Sequence, residues 1–149
     1  MAKKFKFRLD PLLKLRIQNV SEAKDLLYQA VNIRIKKDDE INRQNDYLDD
    51  LKNSNKSTMK LAEIQALHYH QEYVQNNIDQ LHKEKEQLLE IEDLRRVKLS
   101  ESMKEEKVLE KLKEKKKNEH NESLKKEENV ILDEIGLRKI NSQNRNDEF

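Results

Sequence analysis

The sequence predicts an all-α fold: a long antiparallel two-helix coiled-coil hairpin with an overhanging C-terminal helix. Three observations predict it. Between Leu9 and Leu51 a residue recurs at alternating steps of four and three, and most of the series Leu9, Leu13, Arg16, Val20, Ala23, Leu27, Ala30, Arg34, Lys37, Ile41, Gln44, Leu48, Leu51 is apolar. That spacing averages 3.5 residues and keeps one narrow stripe turned toward a partner helix. Charged residues make up 41% of the 149 and hydrophobic ones 34%, too little apolar surface to line a globular core of that length. One Gly and one Pro leave almost no turn material. A heptad register sustained over about six repeats sets the chain apart from a disordered one of similar composition.

Ahead of the first helix, Phe5, Phe7 and Leu9 alternate with Lys and Arg, a pattern that fits an extended arm and one helical turn equally well. Helix one, about 11–53, starts at Asp10-Pro11. Asp accepts hydrogen bonds from the free amides of a first turn, and Pro, with no N–H, suits the first helical position. The cluster Asn53-Ser54-Asn55-Lys56-Ser57-Thr58 competes for backbone hydrogen bonds and favours a turn, placed at about 54–58, with Ser57 or Thr58 capping the next helix. Helix two, about 59–140, carries the stripe Leu61, Ile64, Leu67, Val74, Ile78, Leu81, Leu88 and, less regularly, Leu99. Two amphipathic helices on a short loop pack antiparallel, so residues 1–141 read as a single hairpin and 142–149 as a frayed polar tail.

A turn centred near residue 56 sets Leu51 against Leu61, Leu48 against Ile64, Ala30 against Leu81, Ala23 against Leu88 and Leu13 against Leu99. Arg16, Arg34, Lys37, Gln44, Gln71 and Lys85 then lie on the seam, stems along it and heads in water. Helix one, roughly 65 Å long at 1.5 Å per residue, covers helix two only to about residue 101. The remainder, to about residue 140, is expected to project as a single charged helix held by Lys and Glu three or four apart. It carries two bare apolar islands: Val108, Leu109 and Leu112, then Val130, Ile131, Leu132, Ile135, Leu137 and Ile140. Unpaired stripes of this kind point to a protein partner.

Several functions are argued against by composition and spacing. Lys and Arg number 31 and Asp and Glu 30, with the signs interleaved, so no basic face is offered to nucleic acid. No apolar run reaches the length of a membrane span and the start from Met1 to Arg8 lacks the apolar stretch of a secretory signal, so a cytoplasmic protein with no direct membrane insertion is expected. Absence of Cys removes disulfides, thiolate zinc sites and thiol nucleophiles. His68 and His70 stand two apart, which turns them to different sides of a helix, and no metal is expected there; His82 and His120 read as solvated. Lys115-Lys116-Lys117, flanked by Glu114 and Glu119, reads as a solvated face. A paired coil has no concave pocket to dehydrate a substrate, so neither enzyme activity nor a cofactor is expected.

The chain resembles the flagellar export proteins of the FliJ type, with the stalk proteins of virulence type III secretion as nearest neighbours. The resemblance covers nearly the whole chain. Its marks are Phe5-Lys6-Phe7-Arg8-Leu9-Asp10-Pro11-Leu12-Leu13-Lys14-Leu15-Arg16, the segment from Tyr73-Val74 through Ile78 to Leu81, the run Glu110-Lys111-Leu112-Lys113-Glu114-Lys115, and Leu132-Asp133-Glu134. It implies a soluble stalk-like component of the flagellar type III export apparatus, similar to the central stalk of rotary ATPases. Such a stalk inserts its paired ends into the hexameric export ATPase, stimulates it, links it to the cytoplasmic domain of the membrane export gate, and escorts export chaperones. It also implies a place at the inner face of the cell membrane, held there through the apparatus. Carried onto this chain, the ATPase-facing residues are Leu109, Leu112, Ile131, Leu132, Asp133 and Glu134, and the gate-docking residues are Tyr47, Leu51 and Tyr73. The chain departs from the family at Asn77, where an apolar residue is commoner. Leu51 also fits plain core, being on the seam, whereas Tyr47 and Tyr73 lie off it. The alternatives are a structural coiled-coil protein and a holdase chaperone of another system.

Overall fold

A computed structural model describes residues 3–54 and 56–147. Two long helices packed against each other form an all-α hairpin: α1, Asp10–Lys52, and α2, Leu61–Asp147. The first intrahelical bond of α1 runs from the Leu13 N–H to the Leu9 carbonyl, 2.9 Å, so Leu9 holds the capping position and Pro11 sits inside the first turn. The Asp10 carboxylate, expected as the cap, turns instead to Lys113 at 2.9 Å and Lys14 at 3.8 Å. The helices are joined by residues 53–60, which include a 3-10 turn at Lys56–Thr58; Asn55 lies outside the described residues. That turn takes up Ser57 and Thr58, and α2 starts two residues later than a cap at Thr58 requires. The Glu63 carboxylate reaches back to the Lys60 N–H, a reciprocal cap for the first turn of α2.

Along α1 every stripe position from Leu13 to Leu51 is buried or half-buried, as the spacing predicts. On α2 the same rhythm is unbroken through Ile64, Leu67, Gln71, Val74, Ile78, Leu81, Lys85, Leu88, Glu92, Arg95, Leu99, Ser102, Glu106, Leu109 and Lys113, all buried or half-buried. The helices divide between two compact units: a central one, Gln18–Met103, and a terminal one, in which Met1–Ile17 joins Lys104–Phe149.

In the central unit Leu48, Val74 and Ile78 form the tightest cluster, with Leu51 packed against it. Its register differs from the one a symmetric turn gives. Leu51 faces Gln71 rather than Leu61, the Gln71 Nε2 donating to the Leu51 carbonyl at 3.1 Å. Further from the loop, Lys37 meets Glu84 at 2.9 Å and Arg95 donates to the Leu26 carbonyl at 2.7 Å. Each α1 residue thus meets a partner roughly ten positions beyond the expected one. The cause is the loop: α2 begins about 13 Å beyond the level of the last turn of α1, residues 53–60 climb that distance, and Leu61 is left 73% exposed.

Midway along this unit the seam is ionic. Glu92, 2% exposed, accepts from Arg34 Nε and from an Arg96 guanidinium nitrogen, both at 2.6 Å. Arg34 also reaches Asp38 at 3.1 Å, and Asp38 accepts from Lys85 at 2.6 Å. Burial of Glu92 is tolerable because both its oxygens are bonded to cations.

In the terminal unit, the Asp10–Lys113 pair and the Arg16–Glu105 pair at 2.7 Å bracket Leu13 and Leu109, and both leucines are buried. Ahead of α1 the chain is not helical, which decides between the two readings of the arm. Phe5 and Phe7 are half-buried, His120 Nε2 lies 2.9 Å from the Lys3 carbonyl, and the Phe5 and His120 rings are 5.8 Å apart. A carbonyl only accepts, so Nε2 carries the hydrogen. His120 is therefore half-buried and bonded rather than solvated. The overhang is correspondingly shorter than expected: Leu109 is 8% exposed and Leu112 half-buried, while Val108 and the second island, Val130 to Ile140, remain exposed. α2 continues past residue 140 to Asp147, so the polar run from Ser142 to Asp147 is helical; Glu148 and Phe149 lie outside the described residues.

Candidate functional site

In the central unit the structure brings Tyr47 and Tyr73 together around His70, which the sequence reading weighed only as a metal ligand. The Tyr47 hydroxyl lies 2.8 Å from His70 Nε2, with the two rings edge to face at 5.8 Å. The Tyr73 ring also lies beside His70, 17° from parallel with centroids 6.5 Å apart. Tyr47 is 45% and Tyr73 63% exposed, so the three rings make an exposed aromatic patch with a polar centre. The spacing of three between His70 and Tyr73 was the available signal. Leu51 does not join the patch; it packs on the Leu48, Val74 and Ile78 cluster as core. His68 turns elsewhere, to Glu72 at 3.1 Å, and among the described residues no group of His, Asp or Glu is arranged to hold a metal.

The second surface lies in the terminal unit. Ile131, Leu132, Asp133 and Glu134 are exposed on α2, whereas Leu109 and Leu112, expected beside them, are covered by the start of the chain. Between the arm and α2 lies an open groove of about 790 Å3, lined by Phe5, Phe7, Leu9 and Leu112 with Lys3, Lys4, Lys6, Arg8 and Lys116. The groove corrects the expectation that paired helices offer no concavity.

The cross-helix ion pairs set the pH response. The hydrogen bond from Lys113 holds the Asp10 carboxyl below its ordinary 3.8, Lys85 does the same for Asp38, and Lys37 holds Glu84 below its ordinary 4.5. The same bond raises Lys37 above 10.5. A lowered carboxyl contributes stability above its unfolded pKa and loses it as pH falls through the folded one; a raised Lys loses its contribution only as pH rises through its folded value. The urea midpoint of helix unfolding is therefore expected to be level from about pH 6 to 9 and to fall below about pH 4.5. In Asp38→Asn the acid limb shrinks; an unchanged limb would show that the pairs do not form in solution.

Comparison with known proteins agrees with this architecture. The family model described as flagellar FliJ protein matches residues 5–145. No curated protein and no solved structure matches the chain. Among the described residues no helix is long and apolar enough to cross a membrane. With nearly its whole length matched, the chain belongs to the flagellar FliJ family and is a flagellar export-related protein.

Proposed function

We propose that the chain is a stalk-like adaptor of the flagellar export apparatus. Its terminal unit engages and stimulates the hexameric export ATPase, its aromatic patch docks on the cytoplasmic domain of the membrane export gate, and it escorts export chaperones. The apparatus keeps it in the cytoplasm at the inner face of the membrane. The observation that carries the reading is the bare turn of α2 at Ile131, Leu132, Asp133 and Glu134, apolar and acidic groups exposed on successive sides of the helix, in a chain matched to the family from residue 5 to 145. A helix exposing such groups all round is suited to contact with several ring subunits, because apolar area supplies affinity and the carboxylates fix orientation.

Purified chain added below one copy per hexamer is expected to raise the hydrolysis rate of the export ATPase. No change at any ratio would sink the reading. At the other surface, Tyr73→Ala is expected to weaken binding to the gate domain by about tenfold, with Tyr47→Ala weaker in effect, since exposed aromatics at an interface centre carry much of its energy. Helicity should be unchanged in both. Loss of helix content would mean that the tyrosines serve the fold instead.

A further inference from the structure

The groove of the terminal unit and the exposed stretch 127–135 of α2 complement each other, yet they cannot meet within one molecule. Around the groove stand five cations, Lys3, Lys4, Lys6, Arg8 and Lys116, against one carboxylate, Glu119. Phe5, Phe7, Leu9 and Leu112 supply its apolar lining. Between residues 127 and 135 stand four carboxylates, Glu127, Glu128, Asp133 and Glu134, and no cation. Val130, Ile131, Leu132 and Ile135 lie among them, all exposed. Both features belong to the same continuous helix, with their centres near residues 116 and 131 separated by about 22 Å of α2. A helix does not fold back on itself over that distance. A smaller trough of about 460 Å3 lined by Ser123, Lys126, Glu127, Val130 and Ile131 shares Ser123 with the groove, so the two lie along the same side of α2.

We propose that two copies of this chain associate through their terminal units, antiparallel, each laying on the other's groove the side of α2 that carries Glu127, Val130, Ile131 and Glu134. Direction follows from charge. A parallel pair in register would set cations on cations and carboxylates on carboxylates, whereas an antiparallel pair matches opposite charge and apolar surface twice over. The twofold axis then passes near Leu124, midway between the features and half-buried. Such a contact is isologous and closed, so it stops at the dimer. It engages Ile131 and Glu134, which the stalk reading gives to the ATPase; the dimer itself does not depend on that reading.

Sedimentation equilibrium of the full chain tests it. A monomer–dimer equilibrium that weakens as salt rises is expected, and a monomer at every concentration overturns the proposal. Glu127→Lys with Glu134→Lys is expected to weaken the dimer by about tenfold, as is Lys4→Glu with Lys6→Glu. Mixing the two double variants should make both contacts complementary, one native and one with its charges exchanged, and favour the mixed pair over either parent. All four positions are exposed, so helicity should hold in each. A dimer indifferent to both charge sets, or a mixture no stronger than its parents, places the interface elsewhere and overturns the proposal. A monomeric chain whose groove instead binds a partner's acidic helix gives that same contrary result in sedimentation.

Discussion

Replacing Ile78 by Ala is expected to destabilise the central unit by about 3 kcal/mol, read from the urea dependence of its helical circular dichroism. Ile78 is 2% exposed and packs with Leu48, Val74 and Leu51 where the two helices are closest to the loop. Two paired helices have no second layer to collapse into the space, so the transfer loss and the cavity both count. The same substitution at Tyr73, one turn away on α2 but mostly exposed, is expected to cost under about 0.5 kcal/mol. The contrast separates residues that hold the pairing from those that present it. Equal effects at the two positions would mean the stripe of α2 is rotated from the face assigned here.

Deleting residues 126–149 is expected to remove nearly all stimulation of the export ATPase while leaving the urea midpoint of the pairing unchanged. The cut spares Asp10–Lys113, Arg16–Glu105, the His120 contacts of the arm and the whole central unit, and removes the exposed face from Val130 to Ile140. A cut at residue 104 would be a poorer test, because it also strips Leu109 and Lys113 from the start of α1 and exposes Leu13. Full stimulation by the shortened chain would place the ATPase-facing surface elsewhere.

Helix type, the α1 stripe and the exposed second island were legible in the sequence because each depends on local spacing. A step of four and three is visible from Leu13 to Leu51 without knowing what lies opposite. Register was not legible, since it depends on where the loop lets α2 begin. The cluster 53–58 marks a turn, but nothing in it shows that Ser57 and Thr58 go into a 3-10 turn and that the cap passes to Lys60 and Glu63. An apolar scan of α2 also loses the stripe after Leu88. There the seam passes through Glu92 and Arg95, whose burial makes sense only with Arg34 and the Leu26 carbonyl across from them. The coverage of Leu109 and Leu112 followed from that register and from the arm, whose alternation of Phe with Lys and Arg fits two conformations. The aromatic patch was half legible: both tyrosines fall off the seam, but the role of His70 between them emerges only when α1 lies beside α2.

Which surfaces are covered and which are left for partners rests on the register, and the absence of Cys makes it directly measurable. Cysteines placed in pairs and treated with a short bis-thiol reagent should link Lys37→Cys to Glu84→Cys and Asp10→Cys to Lys113→Cys within one chain, in high yield. Linkage of Lys37→Cys to Gln75→Cys in preference to Glu84→Cys would contradict the pairing described here, and with it the assignment of buried and exposed faces.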